Sequence, residues 1–336
     1  MKKGKKTALI AISVISALAL IFVSAFFIMT AIGKHQFHKD DTNISTPTVE
    51  IEDENTITYN DKKYILNKDI VSILVMGIDR SDIEKNLGSG NNGQADVIFV
   101  ATMDTKTKKA CIIPLSRETM TDINLYTEDG KYIGTQNEQL CLAYAYGTDT
   151  QKCSENVMTS VKRLLCGINI NSYITFEMEA VSELTDMIGG VQLASLEDFS
   201  SGTLNAAKGQ TVTLKGNSAI NYIQYRGDDL EANARRMQRQ KQFLSALINK
   251  TGNAVLSDFS NLATYYNGLS PYFSTNVSFA QTTYLAQSCL SLNLGDSIDY
   301  KAIDGTLSMG EKWVEFRPYE ESLLQTVIDV FYVPCE

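Results

Sequence analysis

The chain of 336 residues is 44% hydrophobic and 21% charged, with a formal net charge of −9 and a pI near 4.9. That composition suits a globular protein with a sizeable core, in one large domain or two modest ones. Its acidity argues against nucleic acid and anionic lipid faces as partners, unless positive charge is gathered locally.

Lysines 2, 3, 5 and 6 precede an apolar run, Thr7 to Gly33, that has no ionisable side chain. The run exceeds the roughly 20 residues a bilayer span needs and the roughly 7–15 of a cleavable signal core. The chain therefore divides into a cytoplasmic tail (1–6), a transmembrane helix (7–33), an extracellular linker (34–54) and an ectodomain (55–336), with the lysines inside. Subtracting their four charges from −9 leaves −13 for everything after Gly33. The two histidines, His35 and His38, fall in the linker, which argues against a histidine-based catalytic triad. All six cysteines, 111, 141, 153, 166, 289 and 335, lie in the ectodomain, where disulfides are permitted. A Cys141–Cys153 bridge would close the Tyr/Gly-rich loop between them, whereas Cys111, inside an apolar strand, reads as a buried thiol.

Residues 56–67 alternate around Asn60-Asp61 as a small hairpin. The apolar run 69–79, ending Gly-Ile-Asp, reads as a buried central strand. Two further β-rich runs flank the polar loop Thr105–Lys108 as a hairpin. If Asp104 pairs with Lys109, the same register places Asp96 opposite Arg117. Alone, such a pair reads as a cross-strand surface ion pair of little worth. A helix over 153–168, a strand, a helix closed by Gly189-Gly190 and another strand follow, then a helix over 232–250. Strands alternating with helices, plus an antiparallel hairpin, predict an α/β fold: a layered α-β-α domain with a mixed central sheet.

On a helical wheel of 232–250, Met237, Phe243, Leu244, Leu247 and Ile248 form one apolar arc. Arg236 and Gln240 fall inside it, Arg239 borders it, and Arg235 and Gln238 point away. A guanidinium among apolar side chains needs an anion or must reach water along its stem. Arg226, upstream, adds another donor. Converging arginines suit phosphate, although Asp228, Asp229 and Glu231 are equally open as internal partners.

The ordered set "ILVMGID", "ADVIFVATMDTKTKKACIIPLSRET", "QLCLAYAYG", "INSYITFEMEAVSELTDMIGGVQL" and "LKGNSAINYIQYR…NARRMQRQ" resembles the LytR–CpsA–Psr family. Its members move a glycopolymer such as teichoic acid or capsule from a polyprenyl-pyrophosphate carrier onto peptidoglycan at the outer membrane face of Gram-positive bacteria. The resemblance implies a magnesium (or manganese) site at Asp79 and Asp96. It implies pyrophosphate binding by Arg117, Arg226, Arg236, Arg239 and Gln240, with Asp96 and Arg117 catalytic. Gln94, Glu118, Cys141 and Gln224 depart from the common pattern, leaving the clamp less positive. Two other classes stay open beside transfer: a non-enzymatic scaffold that binds polyprenyl phosphates or wall polymer, and a polyprenyl-pyrophosphate hydrolase.

Overall fold

The computed structural model describes residues 30–37, 50–53, 55–78, 88–201, 203–225, 232–258, 260–290 and 298–335. Helix α1 covers 30–37 and strand β1 Glu50–Asp53. Strands β2 (Thr56–Tyr59) and β3 (Lys62–Leu66) form the expected small hairpin. Asn60 and Asp61 both take positive φ, 49° and 58°, as a two-residue turn matching the strand twist demands. The chain then enters β4 (Ile70–Ile78), β5 (Ala95–Asp104), β6 (Lys109–Leu115), β7 (Met120–Tyr126) and β8 (Tyr132–Gln139). A 3-10 turn (Leu140–Tyr146), helix α2 (Thr150–Leu164), β9 (Ser172–Glu177) and α3 (Met178–Met187) follow.

Short strands β10 (Val191–Ala194), β11 (Phe199–Ser201), β12 (Leu204–Ala206) and β13 (Thr211–Leu214) lead to α4 (Asn217–Gln224). The arginine helix is α5 (Ala232–Ser257), longer than the sequence pattern indicated. Then come α6 (Ser260–Leu269), β14 (Phe273–Thr275), α7 (Phe279–Leu290) and β15 (Ile298–Tyr300). A hairpin of β16 (Gly305–Met309) and β17 (Val314–Pro318), α8 (Glu320–Phe331) and β18 (Tyr332–Pro334) complete the chain.

The central sheet has the order β14-β9-β4-β5-β6-β15. It is mixed, as expected: β4 is antiparallel to β5 and parallel to β9, and β15 is parallel to β6. One face, through Leu74, Met76, Ile78, Ile98, Val100 and Ile113, packs on α2 and α8 in a continuous core. The opposite face, with Val75, Val97, Phe99, Pro114 and Ile174, looks toward α3, α5, α6 and α7. That second layer is partly hollow. It holds an open cavity of about 700 Å³. Most of the apolar arc on α5 (Met237, Phe243, Leu244 and Leu247) lines it rather than filling it.

Three expectations need correction. Residues 34–37 are not free linker: Phe37 is buried with Val71, Ile73, Val277 and Tyr284, and its carbonyl accepts from Asn171 Nδ2 at 2.8 Å. An aromatic ring with apolar neighbours at the foot of β4 gains more by packing than by solvation. The domain also starts before residue 55, because β1 pairs with β2. Cys141 and Cys153 are free thiols, as are Cys111, Cys166 and Cys335. Cys153 sits against Gly147, so close that a Cβ there would lie 2.1 Å from its amide nitrogen. Asn92 and Asn156 close the loop instead, their Nδ2 atoms donating to the Gly147 and Ala143 carbonyls, each at 2.7 Å.

Residues 7–29 of the expected transmembrane helix lie outside the described residues. Among the described residues, no helix is long and apolar enough to cross a membrane.

Candidate active site

Tight pairing along one hairpin builds the first half of the site. Asp104 and Lys109 are partners, and the register runs unbroken to Ile98 and Leu115. Continuing it brings Asp96 and Arg117 together just past the ladder, where Arg117 Nη1 donates to Asp96 Oδ1. Arg117 Nη2 donates to Gln94 Oε1 and lies 3.5 Å from Cys141 Sγ. Burial weakens the guanidinium's charge, but Cys141 and Asp96 outweigh it, and Arg117 stays firmly protonated. Burial pushes the Cys141 thiol up, against the pull of Arg117, so it is a neutral neighbour at physiological pH. The backbone braces the same corner: Cys141 N donates to the Arg117 carbonyl at 3.2 Å. Next to Arg117, Glu118 is buried and accepts from Ser116 Oγ at 2.7 Å.

Helix α5 supplies the second half. Arg236, only 7% exposed, and Gln240 line the same cavity as Asp96 and Arg117. Gln240 Nε2 donates to the Ile223 carbonyl at 3.2 Å. Lys241, which sequence reasoning passed over, also lines the cavity, its Nζ 4.2 Å from the centre of the Tyr300 ring. Only its place one residue after Gln240 could have flagged it. The site thus sets two arginines and a lysine in the wall of a mostly apolar chamber, which is the kind of local positive charge an acidic domain needs to take an anion.

Arg239 is placed elsewhere. It is 1% exposed and is not among the cavity-lining residues. Its Nη1 meets Glu197 Oε1, its Nε and Nη2 donate to the Tyr222 and Tyr225 carbonyls, and the Phe199 and Tyr225 rings flank it. Each guanidinium nitrogen has a protein partner and the side chain is buried away from the cavity, so a phosphate contact does not fit this geometry. Glu197 also draws Arg235, at 3.8 Å. It is 42 residues from Arg239 in sequence, beyond the reach of a local pattern.

Asp79 and Arg226 lie outside the described residues. The strand leading to Asp79 ends at Ile78, paired with Ala95, the residue before Asp96. Among the described residues no group of three or more His, Cys, Asp or Glu side chains could hold a metal ion. A set of one or two carboxylates completed by substrate phosphates is the usual magnesium arrangement, and Asp79 with Asp96 fits it in kind.

Comparison with known proteins places the fold and the family. The teichoic acid transferase TagU of Bacillus subtilis strain 168 is 25% identical over 279 residues, covering 83% of this chain and 80% of that protein. The crystal structure of B. subtilis TagV superposes with a TM-score of 0.62 at 23% identity, covering 78% of this chain and 96% of that one. A structure of TagT bound to LI-WTA gives a TM-score of 0.58 at 20% identity, covering 78% and 90%. Residues 30–326 match the LytR_cpsA_psr family, and the chain belongs to it.

Proposed function

We propose that the protein is a membrane-anchored extracellular phosphotransferase. In this reading it attaches a polyprenyl-pyrophosphate-linked glycopolymer, of teichoic acid or capsule type, to peptidoglycan and releases polyprenyl phosphate. The observation that carries the reading is the mixed lining of the cavity: Arg117, Arg236, Gln240 and Lys241 set among mostly apolar side chains. A diphosphate on a long prenyl chain likewise joins concentrated charge to hydrocarbon. At about 700 Å³ the chamber falls in the size range of ligand sites. The likeness to TagU, a polyisoprenyl-teichoic acid–peptidoglycan teichoic acid transferase, and to TagT bound to LI-WTA supports the polymer class.

The step is a displacement at phosphorus. A peptidoglycan hydroxyl oxygen attacks the phosphorus bearing the glycopolymer, the bond to polyprenyl phosphate breaks, and the hydroxyl proton departs. Arg117 and Arg236 would hold the diphosphate and offset charge on the leaving oxygens. Asp96, in contact with Arg117, would accept the acceptor proton. Asp79 and Asp96 would hold magnesium or manganese, which when bound supplies further positive charge at the phosphates.

The test is a labelled lipid-linked donor mixed with peptidoglycan oligomer and the full chain. Label on the oligomer supports transfer. Water-released polymer phosphate would indicate a hydrolase, and tight binding without turnover a scaffold.

A further inference from the structure

The foot of the central sheet, at the end away from Arg117, carries a second recess of a different kind. It measures about 500 Å³, and Lys34 of α1, Asp69, Lys106 and Lys108 of the β5–β6 turn, and Tyr284 and Gln287 of α7 line it. The charged side chains in its lining are three lysines and one aspartate. Asp104, close by in the same turn, is occupied by the backbone. Its Oδ1 accepts from the Lys106 and Thr107 amides, each at 2.8 Å, and its Oδ2 from Asn67 Nδ2 at 2.9 Å. The Asp69 carbonyl accepts from both N and Oγ1 of Thr105, each at 2.9 Å, which pins the lysine-bearing turn on the start of β4. In a chain with −13 after Gly33, an excess of lysine in one recess reverses the sign locally, and such a reversal suits an anionic surface.

The path of the chain identifies that surface. Lys34 is the first ionisable residue after the apolar run 7–33. Helix α1 is clamped on the foot rather than hung from a slack linker. A Cβ at Gly33 would lie 2.3 Å from the Ala280 carbonyl oxygen, so the two backbones are in direct contact. Ser278 Oγ donates to Gln36 Oε1 at 2.7 Å, and the buried Phe37 ring lies 6.2 Å from that of Tyr284. A span ending at Gly33 would therefore deliver the recess directly to the lipid headgroups. Lysines beside aromatic rings are the side chains that settle at that interface. The recess has no arginine in its lining. Lysine, a point charge on a flexible stem, suits mobile headgroups better than it suits one fixed phosphate.

We infer that this recess is the domain's seat on anionic phospholipid headgroups, whose phosphodiester oxygens accept from Lys34, Lys106 and Lys108. The inference rests on the membrane anchor of the proposed function and adds an orientation to it. Eight steps along β5 separate Asp104 from Asp96, so the active-site end stands roughly 27 Å of strand beyond the foot. Val277 and Leu285, which line the apolar chamber and belong to the cluster around Phe37, then lie at its bilayer end.

Lysine accessibility tests the seat. The full chain is reconstituted in nanodiscs of phosphatidylcholine alone, or in equal parts with phosphatidylglycerol. A neutral amine reagent and peptide mapping give the labelling rate of each lysine, with exposed Lys208 between β12 and β13 as the internal reference. Phosphatidylglycerol should slow labelling of Lys34, Lys106 and Lys108 about fivefold, the factor one lysine gains at an anionic surface, and high salt should restore it. Lys106→Gln combined with Lys108→Gln should return Lys34 to its phosphatidylcholine rate, with the circular dichroism of the parent. Equal rates in the two lipids would overturn the inference. Slowing by a soluble polyol-phosphate polymer but not by phosphatidylglycerol would overturn it in favour of wall polymer as the occupant. Loss of the chain from phosphatidylcholine discs would contradict the anchor alone. Flotation with phosphatidylglycerol vesicles would then decide the recess: flotation abolished in the double variant supports it, and no flotation overturns it.

Discussion

Arg117 and Asp96 meet in the wall of the cavity because the β5–β6 ladder holds one register over its whole length, from Asp104–Lys109 to Ile98–Leu115. A one-residue slip of β6 against β5 would put the two side chains on opposite faces of the sheet. The pair is thus a consequence of strand pairing, and its chemistry can be altered without touching the core.

Asp96→Asn should lose most transfer while the fold is kept, since the side chain is nearly isosteric and lies past the last ladder rung. Arg117→Lys should be nearly as damaging, because one ammonium cannot reproduce the fork that reaches Asp96 and Gln94 together. Turnover of the labelled donor, read beside circular dichroism, checks both. Full activity in either variant would remove that residue from the site.

The arginines of α5 should separate by role. Arg236→Ala and Gln240→Ala should weaken polyprenyl-pyrophosphate binding by about one to two decades, the worth of a charge-assisted hydrogen bond of about 1.5–3 kcal/mol. Arg239→Ala should instead cost about 3 kcal/mol of stability, because it strands Glu197 and two carbonyls. Arg235→Ala should do little. Denaturant melts and lipid binding measured on all four variants test the division, and a binding loss without destabilisation at Arg239 would contradict it.

The chamber can be filled from within. Leu247→Trp places an indole where α5 faces the hollow. It should exclude long prenyl diphosphates while sparing short ones, with stability equal to or above the parent. Equal affinity across chain lengths would mean that the tail lies elsewhere.

The thiols carry a pH signature. Burial pushes Cys111 and Cys166 from 9.0 up to about 11. Both are thiols in the folded state at a pH where the unfolded chain has begun to ionise, so the unfolded state binds fewer protons. Stability should accordingly fall as pH rises from about 9 toward 11. Cys166→Ala should flatten that part of the profile. At neutral pH, Cys335, exposed at the C-terminal strand, should alkylate first, and peptide mapping without reductant should find no Cys141–Cys153 bridge.

The features legible in the sequence were those with short-range causes. A two-residue turn at Asn60-Asp61, an apolar run in β4 and a tight β5–β6 hairpin each declare themselves within a dozen residues. Arg236 and Gln240 were legible because helical periodicity alone puts them on the apolar arc. Arg239 was not, since its partner Glu197 comes from another part of the fold. The hollow was also invisible: Met237, Leu244 and Leu247 have the same spacing whether they meet a solid core or an empty chamber. Polar neighbours at Lys34, His35 and Gln36 masked the seat of Phe37, whose burial depends on residues from β4, α7 and the turn between β14 and α7.

The uneven filling of the two layers should appear in the protein's breathing. Side chains bordering empty space lack dispersion partners on one side, so α5, α6 and α7 are held less firmly than α2 and α8, which share a continuous core. Amide hydrogens of the α5–α7 layer should therefore exchange first, through openings that leave the rest of the sheet closed. A bound hydrocarbon chain would act as the missing core, and by mass action it would slow exchange in that layer selectively. The domain would then reach its full rigidity only when loaded.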